Sequence, residues 1–189
     1  MSISEQEQKR SKPRRVATAL AATVAGSGLM IALSACGGQD SDIELPMAVE
    51  IGGNDYNFVE LPDEIAAGAT ITLRNDSDVE LHEIVAIRLP DDEDRPASEL
   101  IQLPPEELGA FGFPSAVILA PVGAGNINAV GSGALDEPGR YLLFCSIPVG
   151  ADQDEYLEAA ATSETAPEVD GGPPHFVEGM WGEVTVVEQ

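Results

Sequence analysis

Apolar alternation in this chain comes only in short stretches, each closed by turn residues, and that punctuation limits its fold more than any other feature. Met47–Ile51 alternates loosely, Gly52-Gly53-Asn54-Asp55 reads as a turn, and Tyr56–Val59 resumes the pattern. Ala69–Leu73 puts Ile71 and Leu73 on one face, Asn75–Asp78 is a loop, and His82–Leu89 is β-branched and alternating. After an acidic turn at Asp91–Asp94, Ala97–Leu103 and Pro105–Leu108 predict two short helices. Ser115–Val122 and Asn126–Val130 read as strands, Asp136–Gly139 as a turn, Arg140–Phe144 as a strand ending at Cys145, and Gly182–Glu188 as the last strand. Residues 149–174 are rich in acids, Ala, Gly and Pro, and are expected to form a long acidic surface loop with one helical turn around Glu155–Ala161. Many short strands with regular turn signals argue for an all-β chain, a sandwich or a barrel.

The beginning of the chain follows different rules. Lys9, Arg10, Lys12, Arg14 and Arg15 precede Val16–Leu33, an 18-residue run without charge, which Leu33-Ser34-Ala35-Cys36 closes. A basic start, an apolar stretch and a small-residue exit make an export signal. A plain transmembrane anchor is the alternative, since the run nearly spans a bilayer. Gly26, Gly28 and the position of Cys36 favour the export signal. Leu-Ser-Ala-Cys resembles a bacterial lipobox, which implies a lipid on the Cys36 sulfur and cleavage before it. The expected organisation is a signal peptide over 1–35, a polar tether over 36–46 and one domain over 47–189. The protein is then extracytoplasmic, held to the bacterial cell membrane as a lipoprotein. Arg14-Arg15 also hints at the twin-arginine route.

Removing the leader sharpens the charge. The whole chain carries −24, whereas residues 36–189 retain four arginines, no lysine and 31 acids, a formal charge of −27. Such a chain is not a nucleic-acid binder, because neutralising phosphates takes Lys and Arg. It also repels anionic headgroups, so the lipid on Cys36 would be its one hold on the membrane. The acidity suits high salt or solubility, and equally the steering of a cationic partner.

Soft donors are scarce. With two Cys and two His in all, neither a four-Cys site nor a three-imidazole site can be built. The domain is left with His82, Cys145, His175 and Met180, and with Met47 early in the first strand. Two imidazoles, one thiolate and a weak axial thioether form the donor set of blue copper. If they bind one ion, Cys145 sulfur and the two ring nitrogens should converge to within about 4 Å, given bonds of about 2 Å.

The flanks of these residues carry a resemblance. Pro138-Gly139-Arg140-Tyr141-Leu142-Leu143-Phe144-Cys145-Ser146 is similar to the cupredoxin strand leading into the ligand Cys, with the Gly-x-Tyr-x-x-x-Cys spacing of plastocyanins. His175-Phe176-Val177-Glu178-Gly179-Met180, followed by Gly182-Glu183-Val184-Thr185-Val186, resembles the end of the same proteins. Thr72-Leu73-Arg74-Asn75 and His82 resemble the strand, loop and first His. The resemblance covers about residues 47–89 and 136–189. It implies a Greek-key β-sandwich (cupredoxin-like) with one type 1 copper ion held by His82, Cys145, His175 and axial Met180.

Two departures stand out. Residues 146–174 separate Cys145 from His175 where plastocyanins have two residues, an extension worth about 2 kcal/mol of closure entropy. The ligand loop of copper nitrite reductases is also longer, and here Cys145-Ser146-Ile147-Pro148 and Pro174-His175 bracket the insert. Glu83 also follows the first His, where the family often has an Asn tying the ligand loops together.

The implied function is one-electron transfer at the outer face of the membrane by a lipid-anchored protein. The implied partner is a redox protein with a basic docking face, for example a cytochrome. The ligand set leaves no room for substrate and no His remains for a second copper, so the chain is not expected to be an enzyme. The alternative is a metal-free or copper-storage or copper-delivery lipoprotein acting as a binding module. Delivery proteins usually carry extra Met or His clusters, and none occur here.

Overall fold

The computed structural model describes residues 44–163 and 165–189. The expected signal peptide, Cys36 and the tether up to residue 43 lie outside the described residues. Among the described residues no helix is long and apolar enough to cross a membrane.

Among the described residues, ten strands form two sheets. In chain order they are β1 (Ala48–Asn54), β2 (Asn57–Val59), β3 (Glu64–Ala66), β4 (Ala69–Asn75) and β5 (His82–Arg88), then β6 (Ala116–Ala120), β7 (Ile127–Val130), β8 (Ala134–Leu135), β9 (Gly139–Phe144) and β10 (Trp181–Val187). One sheet has the order β2-β1-β4-β8 and the other β3-β10-β9-β5-β6-β7. Pairing is mostly antiparallel, with β1 beside β4 and β3 beside β10 as the parallel pairs. The non-consecutive neighbours place the chain in a β-sandwich with crossovers between sheets, as expected.

Alternation explains the packing. Ile51, Ile71 and Leu73 of the smaller sheet meet Ile84, Ala86, Ile118, Tyr141, Leu143, Val184 and Val186 of the larger one in a single core. The intervening residues Val85, Ile87, Leu142 and Phe144 point to the opposite face. Helices α1 (Ala97–Leu100) and α2 (Pro105–Gly109) cover that face with Leu100, Ile101 and Leu108. β5 is therefore buried on both sides over His82–Ile87.

Two expectations need correction. Gly52, Gly53 and Asn54 belong to β1, and the turn falls at Asp55-Tyr56. The glycines are there for close approach: a Cβ on Gly52 would stand 2.6 Å from Arg74 Nη2 and from Val59 Cγ2. The stretch 149–174 is also more than a loop with one helical turn, since it carries the ten-residue helix α3 (Gln153–Thr162). Asp152 caps that helix by accepting from Glu155 N at 3.0 Å, and Asp154 and Glu155 lie in its first turn, where acids are favourable. The short α4 (His175–Glu178) and the strands β3 and β8 were not legible in the pattern.

Candidate metal centre

The larger sheet brings the donors to one end. His82 opens β5, Cys145 directly follows β9, and Met180 directly precedes β10. β9 pairs with both β5 and β10, with Phe144 opposite Val85 on one side and Trp181 on the other. His175 enters as the first residue of α4. Four backbone hydrogen bonds lock the Cys and His segments together: Cys145 N to Met180 O (3.0 Å), Met180 N to His175 O (3.0 Å), His175 N to Ile147 O (2.9 Å) and Phe176 N to Cys145 O (2.9 Å).

The same pairing answers the long insert. Pro148 bridges Pro174, Val149 N donates to Pro173 O at 3.0 Å, and Gly172 N donates to Val149 O at 2.8 Å. The insert leaves and rejoins the site through a zipped neck, and its helix α3 folds back on the donor end, with Tyr156 buried beside Cys145 and Met180. On the other side, Asn75 fixes the loop before His82. Its Nδ2 donates to Glu80 O (2.9 Å) and Ala120 O (2.7 Å), and its Oδ1 accepts from Ser77 N (2.8 Å).

The predicted convergence is present. His82 Nδ1 lies 3.3 Å from His175 Nδ1, and Cys145 Sγ lies 3.3 Å from the same His175 nitrogen. The three donor atoms all lie within 4.8 Å of one another, slightly wider than the sequence-based expectation. Two nitrogens at that separation reach one ion through bonds of about 2.0 Å at a tetrahedral-to-trigonal angle. His82, Cys145, His175 and Met180 are all 0% exposed, so water is excluded. Met180 packs with Cys145 in one apolar cluster. A Cβ on Gly53 would lie 2.9 Å from Met180 Cε and 3.3 Å from His82 Cδ2. Gly53 is thus the close-approach residue behind the thioether.

Burial sets the protonation. Loss of water pushes the His82 imidazole down to about 4, assisted by the nearby His175 and opposed by Asp76. His175 is also lowered, again by burial, with Glu80 opposing. Burial raises the Cys145 thiol well above its ordinary value, and the charge of Glu83 adds to this. Without a cation the centre holds neutral rings and a protonated thiol. A bound metal ion reverses the thiol and releases its proton.

This arrangement has a consequence for stability. The folded value of His82, about 4, lies below the 6.5 of a free imidazole. As pH falls, the unfolded chain takes up the proton first, so the metal-free domain loses stability from about pH 6.5 to about pH 4, amounting to about 3 kcal/mol. Urea unfolding of metal-free protein at pH 7 and pH 4.5 checks this. His82→Asn should lose distinctly less than wild type over that interval, and equal losses would contradict it.

Glu83 is 2% exposed and its carboxylate binds three donors. Oε1 accepts from Ser146 N (3.0 Å) and Ser146 Oγ (2.6 Å), and Oε2 accepts from Tyr156 Oη (3.2 Å). It ties the His82 strand to the residue after Cys145 and to buried Tyr156 of α3. Sequence reading singled out Glu83 and found no signal for Tyr156, Gly53 or Glu80, whose roles arise from chain segments distant in sequence.

The donor set fits copper. One thiolate and two imidazoles with a thioether behind them suit an ion that changes between Cu(I) and Cu(II), whereas zinc favours a fourth strong donor. No protein-family model matches the chain, and no curated protein does. Among solved structures it is similar to a dithionite-reduced auracyanin from Roseiflexus castenholzii, at 19% identity over 76% of this chain and 98% of that one, with a TM-score of 0.38. It is also similar to auracyanin A, a "blue" copper protein from Chloroflexus aurantiacus, at 19% identity over 75% and 99% of the two chains and a TM-score of 0.36. Auracyanin B aligns at 17% identity over 74% and 88%, with a TM-score of 0.32. These likenesses are faint, and what the site can do rests on its own geometry. That geometry is a buried cluster of three donors, His82, Cys145 and His175, able to hold one metal ion, with Met180 packed beside it, at one end of a β-sandwich.

Proposed function

We propose that the chain is a cupredoxin-like type 1 copper protein carrying out one-electron transfer, with His82, Cys145 and His175 as ligands and Met180 as the axial thioether. The observation that carries the reading is the convergence of two imidazole Nδ1 atoms and one thiol sulfur in a fully buried site. A copper ion bound there would supply reversible exchange of one electron between Cu(I) and Cu(II). The protein's part is constraint. The four backbone hydrogen bonds around Cys145 and His175, and the Asn75 clamp before His82, fix the donors before any ion arrives. Burial prevents water from adding to the coordination shell, which keeps rearrangement small. Fully covered ligands also give a substrate no place to bind, which supports a carrier rather than a catalyst.

The partner we propose is a redox protein with a basic face, such as a cytochrome. Arg74 is paired with Glu50, Glu60 and Asp76, Arg88 with Asp91, Arg95 with Glu93, and Arg140 with Glu183. The remaining acids leave a surface that attracts cations, and the attraction should weaken with salt. Attachment to the outer face of the membrane through lipid on Cys36 completes the reading.

Addition of one equivalent of Cu(II) to the purified protein tests it. The expected result is an intense visible thiolate-to-copper band that bleaches with ascorbate and returns with ferricyanide. A colourless complex, or a band that does not cycle, would contradict the proposal.

A further inference from the structure

The Nε2 atom of His175 is buried and has no hydrogen-bond partner. One acceptor faces it: Glu80 Oε2 at 3.5 Å, at the outer limit of hydrogen-bond reach and without closing a bond. Glu80 is held at that place from several sides. Its Oε2 accepts from Gly150 N at 3.2 Å, its Oε1 from Tyr56 Oη at 3.5 Å, and its backbone N donates to Ser77 Oγ at 2.9 Å. Asn75 Nδ2 grips its carbonyl at 2.9 Å. The Tyr56 ring in turn packs on the His175 ring, with centroids 4.9 Å apart. The Glu80 side chain is 14% exposed.

The chemistry of a ligating imidazole gives this placement its meaning. When Nδ1 binds a metal ion, the ring proton must sit on Nε2, and that N–H then needs an acceptor. A carboxylate in that position fixes the ring's tautomer and orientation and makes it a stronger donor. We propose that Glu80 is a positioning residue of the metal centre: it accepts the Nε2–H of His175 and biases the site toward Cu(II). The inference rests on the copper reading above. It adds that the cover over His175, made by Glu80, Tyr56 and the start of the insert at Gly150, belongs to the redox machinery.

The test uses the full-length protein, loaded with copper, as wild type, Glu80→Gln and Glu178→Gln. The last variant removes one exposed acid from α4 without touching Nε2. Glu80→Gln should weaken the preference for Cu(II) over Cu(I) about tenfold, which is an upward shift of about 59 mV for one electron, while Glu178→Gln should shift it far less. In the diamagnetic Cu(I) form, the His175 Hε2 proton resonance should move upfield and exchange faster in Glu80→Gln only. Equal shifts in potential for the two variants, or an Hε2 resonance unchanged by Glu80→Gln, would overturn the assignment. Failure of the copper reading is distinct, because then wild type itself shows no charge-transfer band, and the Glu80 assignment falls with it.

Discussion

Cys145→Ser is expected to abolish the visible charge-transfer band and to weaken Cu(II) binding by more than about 100-fold, beyond the usual cost of removing a partner of a ligand. Serine is close to isosteric and meets the same packing, since Cys145 sits fully buried among Leu81, Leu119, Ile147, Tyr156 and Met180. The backbone bonds from Cys145 N to Met180 O and from Phe176 N to Cys145 O do not involve the side chain. The fold should therefore survive. The loss is chemical: a hydroxyl does not ionise at neutral pH, whereas a thiol beside a cation does. Titration of Cu(II) followed by absorbance and by competition with a chelator reads both effects. An unchanged affinity would mean that copper binds elsewhere on an acidic surface.

Glu83→Ala is expected to be the most destabilising single change around the site, by about 3 kcal/mol in urea unfolding of the metal-free protein. The carboxylate serves Ser146 N, Ser146 Oγ and Tyr156 Oη, and alanine strips all three of their acceptor. It also unlinks α3 from the strand that carries His82. Burial raises the Glu83 carboxyl above its ordinary value, with the Ser146 and Tyr156 hydrogen bonds opposing. The group is thus tolerated because its donors are fixed. Glu83→Gln keeps an oxygen for Ser146 and turns an amide toward Tyr156, whose hydroxyl can accept instead. Its cost should be about 1 kcal/mol. Equal effects of the two variants would show that the side chain fills space rather than joining segments.

Most of the site was legible because its residue types are so few. With one thiol and two imidazoles in the domain, the flanks of Cys145 and His175 decided the matter, and the cluster of His82, Cys145 and His175 is where they pointed. Strands β5, β9 and β10, which hold His82 and flank Cys145 and Met180, are legible from their alternation. The shielding of their outer face by α1 and α2 explains why β5 is apolar on both sides.

What stayed hidden depends on contacts between distant segments. Gly52-Gly53 has the composition of a turn, and only the approach of Arg74, Val59 and Met180 shows why no side chain fits there. Tyr156 sits in a stretch of acids and alanines, and its burial follows from packing against Leu81, Leu119, Ile147 and Met180, with its hydroxyl on Glu83, 73 positions away. Glu80 is one acid among many, distinguished only by what it faces. Glu83 stands where cupredoxins often have an Asn, and the structure shows that it ties the His82 strand to the residue after Cys145 and to α3, as a buried acceptor for Ser146 and Tyr156.

The most direct test of the central claim is X-ray absorption at the copper edge of the loaded protein. One sulfur at a short thiolate distance and two imidazole nitrogens at about 2.0 Å are the predicted shell, with Cys145→Ser removing the sulfur. A shell of oxygens and nitrogens alone in the wild-type protein would contradict the account.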